Sequence, residues 1–173
     1  MSEAMTAAGR VESLDAKGGK YLTFRLQEEE YGLEILKVRE IIGLMDITSV
    51  PQTPDYVAGV INLRGKVIPV VDLRLKFSMP HEEFTDQTCT IVVEVSTTAG
   101  ATLVGIIVDT VSEVLDIPGG DIEAAPEFGA SVDTSFILGI GKVKSGIKIL
   151  LEIDTVLAVK ELLAVAARAQ EAE

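Results

Sequence analysis

The stretch Val57-Ala-Gly-Val-Ile-Asn-Leu-Arg-Gly-Lys-Val-Ile-Pro-Val-Val-Asp72 carries a pattern from which much of the fold can be predicted. Two short apolar runs, Val57–Leu63 and Val67–Val71, flank Arg64-Gly65, and the glycine can supply the positive φ that a tight turn needs. Such a turn holds Arg64 out from the fold. The last residue, Asp72, can cap a short helix, Leu73–Phe77. The stretch therefore predicts a β-hairpin that leads into a helical turn.

Short apolar runs of the same kind continue from Lys20 to Ile153, broken by Gly, Pro, Asn, Asp and Ser. This pattern is typical of an all-β domain with many short strands. Further strands are predicted at Tyr21–Leu26, Tyr31–Ile35, Ile47–Val50, Thr90–Val95, Thr102–Val108, Val114–Ile117, Leu138–Val143 and Ile147–Ile153. The pattern of Val38–Gly43 fits either a strand or a short helix.

One long helix is predicted near the C-terminus, over residues 154–168. Asp154 is in the position of an N-cap for Thr155–Arg168. Apolar side chains then fall on one stripe that should pack against a sheet, namely Val156, Val159, Leu163 and Ala166. Residues 1–19 are expected to form a disordered lead-in, and residues 169–173 a frayed tail.

The chain also repeats itself. When Tyr31–Ile42 is laid over Val104–Leu115, Gly32, Val38 and Glu40 meet Gly105, Val111 and Glu113. Further on, Gly59–Ile61 resembles Gly139–Gly141, and Lys66–Asp72 resembles Lys148–Asp154, so the shift between the copies grows along the chain. The alternative is that two β-rich stretches share apolar spacing by chance. Duplication predicts two small barrels of about five strands, over residues 20–80 and 86–153, because closing a sheet removes exposed edges.

Composition limits the core and the classes of partner. The chain has 173 residues, enough for one domain or two small subdomains, and 47% of them are hydrophobic. Aromatic residues make up 5% and Trp is absent, so the core must be aliphatic. The formal net charge of −12 repels a polyphosphate backbone and an anionic membrane surface, which argues against nucleic acid as a partner.

Cysteine and hydropathy indicate the compartment. Cys89 is the single cysteine of the chain, which excludes an internal disulfide and fits a reducing cytosol. No apolar run approaches the roughly 18 residues that span a bilayer, and the N-terminus lacks the pattern of a signal peptide. We therefore expect a cytoplasmic protein that does not insert into membranes.

The residues that carry catalysis or bind metals are missing or scattered. The single histidine, His81, and the single cysteine, Cys89, are eight residues apart, and a zinc site needs three or four such ligands. Gly141–Gly146 lacks the Lys-Ser/Thr that a phosphate loop requires, so a hairpin turn explains it better. We predict no catalytic residues, no metal site and no cofactor. Two alternatives remain: a small β-barrel that binds a ligand or nucleic acid, and a hydrolase that uses scattered carboxylates.

Two local features could belong to an interaction surface. One is Arg64 at the predicted turn, which could instead be an ordinary solvated turn residue. The other is Val38-Arg39-Glu40, where an apolar side chain and a carboxylate share one face, as at the rim of an interface or at a core boundary.

Several longer motifs resemble the CheW family of bacterial chemotaxis coupling proteins. They are Glu30–Ile41, Gly59–Arg74, Val108–Leu115 and Ala125–Phe128, in the same order as in the family, and the resemblance covers Tyr21 to Val159. It implies two SH3-like five-stranded β-barrels around a shared core, with a C-terminal helix. It also implies a protein without catalytic activity that bridges the cytoplasmic tips of chemoreceptors to the regulatory domain of the histidine kinase CheA, in membrane-bound receptor arrays.

The resemblance also implies a set of receptor-binding positions. Carried over residue by residue, these are Val38, Glu40, Gly59, Arg64, Gly105 and Val114, with Val38 and Arg64 at a groove between the barrels. For the kinase we expect a contact at one end of the first barrel, near Ile35 and Ile47, where apolar side chains and strand edges are available. Cys89 departs from the aliphatic residue that the family pattern has at that position.

Overall fold

The computed structural model describes residues 17–97, 100–126 and 134–157, and these residues form two β-sheets. Sheet I contains β1 (Gly19–Leu26), β2 (Glu29–Glu34), β8 (Thr110–Ile117), β9 (Ile122–Glu123), β10 (Ile137–Val143) and β11 (Gly146–Leu151). Sheet II contains β3 (Val38–Gly43), β4 (Val57–Leu63), β5 (Lys66–Asp72), β6 (Cys89–Thr97) and β7 (Gly100–Val108). The strand orders are β8-β1-β2-β11-β10-β9 and β3-β6-β7-β5-β4. The prediction of an all-β fold is confirmed.

Short helical segments connect the strands. Two single-turn helices follow the hairpins β4–β5 and β10–β11, namely α1 (Leu73–Lys76) after β5 and α2 (Ile153–Val156) after β11. Two 3-10 turns, Ile35–Lys37 and Gly119–Asp121, precede β3 and β9.

The two sheets are nested along the chain. Sheet II uses one continuous segment, from β3 to β7, whereas sheet I uses the segments on both sides of it. The cause is two parallel pairings, of β2 with β11 and of β7 with β5. Through them the hairpin β1–β2 joins strands from the second half of the chain, and the hairpin β6–β7 joins strands from the first half. The division into residues 20–80 and 86–153 predicted from the sequence therefore does not coincide with the sheets.

Sheet II curls back toward its own first strand. Thr48, which follows edge strand β3, forms an isolated bridge with Val60 of the opposite edge strand β4. Both backbone hydrogen bonds of this bridge are 2.9 Å long. The bridge joins the segment after β3 to β4, whereas the edge strands β3 and β4 themselves are not paired in the described residues.

The internal repeat is confirmed by equivalent geometry in the two sheets. Gly32 is paired with Thr23 and Leu150, and Gly105 is paired in the same way with Val92 and Val70. A register irregularity occurs at the start of both β4 and β10, at Val57–Gly59 and Ile137–Gly139. The number of residues that separates equivalent positions of the two copies is therefore larger at these irregularities than at Gly32 and Gly105.

One part of the predicted repeat alignment is wrong. The hairpin register places Gly146 opposite Val143, as it places Lys66 opposite Leu63. Lys66 therefore corresponds to Gly146 and not to Lys148.

Four local predictions differ in outcome. Val38–Gly43 is a strand, and the predicted strand Ile47–Val50 is reduced to the single bridge at Thr48. The cap at Asp72 is confirmed, because its Oδ1 accepts the Arg74 N–H at 3.1 Å. The cap at Asp154 is wrong, because α2 begins one residue before Asp154.

Parts of the predicted termini lie outside the described residues. These are residues 1–16 of the lead-in, residues 158–168 of the C-terminal helix with Val159, Leu163 and Ala166, and the tail 169–173.

The main hydrophobic cluster joins the two sheets. Sheet I contributes the buried side chains of Leu22, Phe24, Leu26, Tyr31 and Leu33, and sheet II contributes those of Val57, Val71, Ile91, Val93, Val95, Val104, Ile106 and Val108. A row of aromatic rings leads out of it, with centroid distances of 5.8 Å from Phe24 to Tyr31, 6.0 Å from Tyr31 to Phe77 and 5.3 Å from Phe77 to Phe136. The largely aliphatic core shared by both sheets agrees with the sequence.

Candidate functional site

The turn between β4 and β5 presents Arg64 at the surface. Arg64 and Gly65 have φ values of 50° and 87°, as a two-residue type I′ turn requires, and Asn62 Oδ1 accepts the Gly65 N–H at 2.8 Å. The side chain of Arg64 is 70% exposed. The predicted turn and the outward position of Arg64 are therefore both present.

Arg64 is bonded to Glu40, another of the predicted receptor-binding residues. Its Nη1 donates to Glu40 Oε1 at 2.8 Å and its Nη2 to Oε2 at 2.5 Å, a bidentate pair. Glu40 lies on edge strand β3 and Arg64 beside the opposite edge strand β4, so the pair spans the gap where sheet II curls back. The hydrogen bond from Arg64 lowers the pKa of Glu40, and that to Glu40 raises the pKa of Arg64.

Two apolar residues close to Glu40 along β3, Val38 and Ile41, lie on the other face of sheet II, since they pair with Val93 and Ile91 of the main cluster while Glu40 pairs with Val92 of a second cluster. Val38 is half-buried and packs against the main cluster, whereas Ile41 is 44% exposed. The pairing of β3 with β6 shifts between Val38 and Glu40, as in a β-bulge, and a bulge redirects the side chains next to it. The site is therefore an exposed surface with two ion pairs, Glu40–Arg64 and Arg39–Glu94, at the edge of sheet II.

Gly59 and Gly105 are buried, so they have no exposed side to offer a partner. A Cβ on Gly59 would lie 2.1 Å from the carbonyl oxygen of Thr48, and its φ is +146°. A Cβ on Gly105 would lie 2.8 Å from Thr90 Cγ2. Both glycines permit close packing within sheet II.

Val114 lies on β8 of sheet I and is 49% exposed. In the repeat it corresponds to Ile41 on β3, so the two edge strands present an apolar side chain at equivalent positions. Ile41 was not among the residues selected from the sequence. The repeat itself is the signal that could have found it.

The two residues expected at the kinase contact are both partly buried. Ile35 packs against the main cluster, and Ile47 packs against a second cluster within sheet II. Their neighbours Leu36, Leu44 and Met45 are more open, at 87%, 38% and 38% exposed. Leu36 was missed because an apolar run in a sequence does not show which of its members a 3-10 turn points outward.

The remaining polar residues do not form a metal centre in the part of the chain that the structure describes, since no three His, Cys, Asp or Glu side chains come together there. His81 is exposed, with Nδ1 3.5 Å from Asp72 Oδ2. Cys89 is half-buried at the start of β6, with Sγ 3.2 Å from the Gln87 carbonyl oxygen. Within residues 17–97, 100–126 and 134–157, no helix is long and apolar enough to cross a membrane.

A family model described as the CheW-like domain matches residues 20–161, which include both sheets. This chain belongs to the CheW-like domain family. The resemblance seen in the sequence motifs is thereby confirmed.

Relatives within the CheW-like family agree over most of their length. The chain is 39% identical to the chemotaxis protein CheW of Klebsiella aerogenes over 145 residues, 84% of this chain and 85% of the relative. It is 35% identical to chemotaxis protein CheW of Rhizobium meliloti over 144 residues, 83% and 90% of the two chains. The crystal structure of the scaffolding protein TtCheW from Thermoanaerobacter tengcongensis superposes with a TM-score of 0.73 at 35% identity, covering 83% of this chain and 95% of that one.

Proposed function

We propose that this CheW-like chain is a non-catalytic adaptor of bacterial chemotaxis, which couples the signalling tips of chemoreceptors to a histidine kinase of the CheA type. The observation that carries the proposal is the exposed Glu40–Arg64 pair, in which two receptor-binding positions implied by the family resemblance are in direct contact. The relatives are named as chemotaxis proteins, and the solved neighbour as a scaffolding protein, which supports the same class of function.

The receptor is proposed to bind across edge strand β3 and the β4–β5 turn, at Val38, Glu40 and Arg64. A guanidinium held by two hydrogen bonds is preorganised, so little side-chain entropy is lost when a partner binds it. Ile41, the next residue after Glu40 on β3, adds exposed apolar area at this edge of sheet II. On sheet I, Val114 is proposed to extend the surface, while Gly59 and Gly105 act through packing.

The test is titration with a purified receptor-tip fragment. Arg64→Ala should weaken binding about tenfold or more, the effect of losing a central interface contact, with little change in thermal stability. Lys142→Ala is the matched control, because Lys142 forms an exposed pair with Glu123 at 2.7 Å on sheet I. It should leave binding unchanged.

A charge exchange separates an interface role from a structural one. In Glu40→Arg with Arg64→Glu the internal pair can form again, but the charges presented to the receptor are reversed. We expect binding to stay weak in this double variant. Recovery of binding, or collapse of thermal stability in Arg64→Ala, would show that the pair is structural only.

The kinase is proposed to bind elsewhere, at the end of the fold where Ile35 and Leu36 connect β2 to β3. A protein without an active site can change kinase output only by binding its states unequally or by fixing its geometry against the receptor. Leu36, at 87% exposed, is an apolar side chain available there, whereas Ile35 packs against the main cluster and Ile47 against the second cluster. Leu36→Asp should weaken binding of the kinase regulatory domain and leave the receptor affinity unchanged.

Simultaneous binding is the decisive property of such a coupling protein. A competition titration with both purified partners should yield a ternary complex, each contact alone being of roughly micromolar affinity for a partly polar interface of modest area. Mutual exclusion of receptor fragment and kinase domain would mean that one surface serves both, and would refute the coupling mechanism.

A further inference from the structure

The described chain passes from one sheet to the other at two places. It leaves sheet I through the turn Ile35–Lys37 and returns from sheet II through Asp109, between β7 and β8. Elsewhere the sheets meet through an aliphatic cluster. The hydrophobic effect is non-directional, whereas hydrogen bonds and ion pairs require a particular orientation of the groups that they join.

An ion pair lies at the return crossing. Arg74 of α1 donates from Nε to Asp109 Oδ1 at 2.6 Å and from Nη2 to Asp109 Oδ2. The same Oδ2 accepts the Gln27 N–H at 2.8 Å, and Gln27 lies in the β1–β2 turn of sheet I. Asp109 therefore binds, at once, the helix that follows β5 of sheet II and the β1–β2 hairpin of sheet I.

A second ion pair lies at the outward crossing, in the equivalent place. Lys37 donates to Asp154 Oδ2 at 2.8 Å, and Asp154 Oδ1 accepts the Ser96 N–H at 3.1 Å. Asp154 is on α2, which follows sheet I, and Ser96 is on β6 of sheet II. The arrangement matches the first one, but the charges are exchanged: here the carboxylate is on the helix and the cation is at the crossing.

Both pairs are partly shielded from water. The side chains of Arg74 and Asp109 are 13% and 27% exposed, and those of Lys37 and Asp154 are 26% and 30% exposed. Salt screens such pairs less than fully exposed ones. Each carboxylate has its two oxygens engaged by donors from different parts of the fold, which gives these contacts the direction that apolar packing lacks.

We propose that Arg74–Asp109 and Lys37–Asp154 are two clamps that fix the rotation of sheet I against sheet II. Two anchoring points at opposite crossings define a rotation, whereas one would leave a hinge. With both clamps closed the molecule behaves as one rigid body. As a consequence that rests on the proposed function, the receptor surface on sheet II and Val114 on sheet I keep one relative position.

The test measures the distance between the sheets directly. Spin labels are attached to Lys66→Cys on sheet II and Ser112→Cys on sheet I, both exposed positions, in the full chain with Cys89→Ala. The native clamps should give one narrow distance distribution by double electron–electron resonance. Asp109→Asn combined with Asp154→Asn retains the size of both side chains and should replace the narrow peak by a broad distribution.

Two further variants keep the result interpretable. Glu123→Gln breaks the Glu123–Lys142 pair inside sheet I and should leave the narrow peak unchanged. If the double variant fails to fold by circular dichroism, Lys37→Gln replaces it, since Asp154 can still accept the Ser96 N–H, and partial broadening is expected. A narrow, unshifted peak in the folded clamp variants would overturn the proposal, and it would do so whether or not the chain binds receptors.

Discussion

Two glycines of the β4–β5 hairpin have positive φ for different reasons. At Gly65 a Cβ would have nothing within 4 Å, so its φ of +87° is demanded by the turn alone. At Gly59 the φ of +146° coincides with a backbone contact, because a Cβ would lie 2.1 Å from the Thr48 carbonyl oxygen. Because Gly59 has no side chain, the backbone of Thr48 can approach it closely enough to form the bridge with Val60.

Gly59→Ala is therefore expected to destabilise the protein by about 2–5 kcal/mol, combining backbone strain with a steric clash that the chain must relieve by moving Thr48. Gly65→Ala is the matched control and should cost about 1–2 kcal/mol, the strain of a left-handed alanine. Urea denaturation followed by circular dichroism measures both. Similar losses at the two positions would contradict the assigned close contact.

Tyr21 is a buried titratable residue whose chemistry is testable by pH. Burial, and then the nearby Glu34 and Glu152, raise the pKa of its phenol to about 12. Since the folded pKa lies above the unfolded value of 10, the folded state holds this proton more tightly. The stability that Tyr21 contributes is thus complete below pH 10 and is lost as the pH rises from 10 to 12.

Over that interval we expect Tyr21 to account for a loss of about 2–3 kcal/mol in the free energy of unfolding. Tyr21→Phe should remove this part of the alkaline destabilisation. It should also remove the latest tyrosinate step in an absorbance titration of the folded protein. A Tyr21 that ionises near pH 10 in the folded protein would disprove the assignment.

Among the elements, α1 and α2 are equivalent helical turns with different caps. Asp72 caps α1 through its side chain, whereas Glu152 at the equivalent position of α2 forms no such bond. Burial, with Glu34 and Asp154 nearby, raises the pKa of Glu152, so its charged form is disfavoured relative to that of an exposed glutamate.

Asp72→Ala should consequently lower the free energy of unfolding by about 1 kcal/mol, a typical loss for an N-cap. Glu152→Ala should lower it by less than about 0.5 kcal/mol, or raise it slightly, because it removes no cap and relieves a disfavoured charge. Thermal melting of both variants at pH 7 compares them. Equal losses would show that the Asp72 hydrogen bond does not stabilise α1.

The elements also show where sequence reasoning succeeds. The hairpin β4–β5 and the cap at Asp72 depend on residues a few positions apart, so a local pattern can predict them. Asp154, like Asp72, follows an apolar run in the sequence and therefore resembles an N-cap. The structure differs, because α2 begins at Ile153 and the Asp154 carboxylate binds Lys37 and Ser96 instead. Those partners are distant in sequence, and no local pattern distinguishes a cap from a clamp.

At the scale of the whole molecule, one core serves two sheets. Phe24 and Leu33 of sheet I lie in the same cluster as Ile91 and Ile106 of sheet II, and all four are fully buried. Separation of the sheets would expose both sets of side chains to water.

We therefore expect a single unfolding transition in urea, with equal midpoints for amide signals of Leu33 in sheet I and Val70 in sheet II. A peptide of residues 38–108, which comprises sheet II alone, should remain unfolded because it lacks the core residues that β1 and β2 supply. Separate midpoints, or a folded 38–108 peptide, would show that the sheets are independent.

The arrangement of the candidate site was only partly predictable. The family resemblance selected Glu40 and Arg64 as receptor-binding positions. Their contact with each other could not be predicted, because it depends on how sheet II curls back. The repeat predicted two equivalent units, yet the exchange of hairpins between them depends on whether β2 pairs with β5 or with β11. Both β5 and β11 are apolar and similar in length, so their sequences do not distinguish the two pairings.

The parallel pairing of β2 with β11 has a consequence for synthesis. Leu33 pairs with Leu151, near the other end of the described chain. During translation the β1–β2 hairpin emerges first and waits on the order of ten seconds for its partner strand, at ordinary elongation rates. Throughout that time the whole of sheet II can assemble on the ribosome, while the edge of β2 stays open to a chaperone or to a neighbouring nascent chain. All five strands of sheet II are therefore synthesised before the last strand of sheet I, although sheet I is begun first.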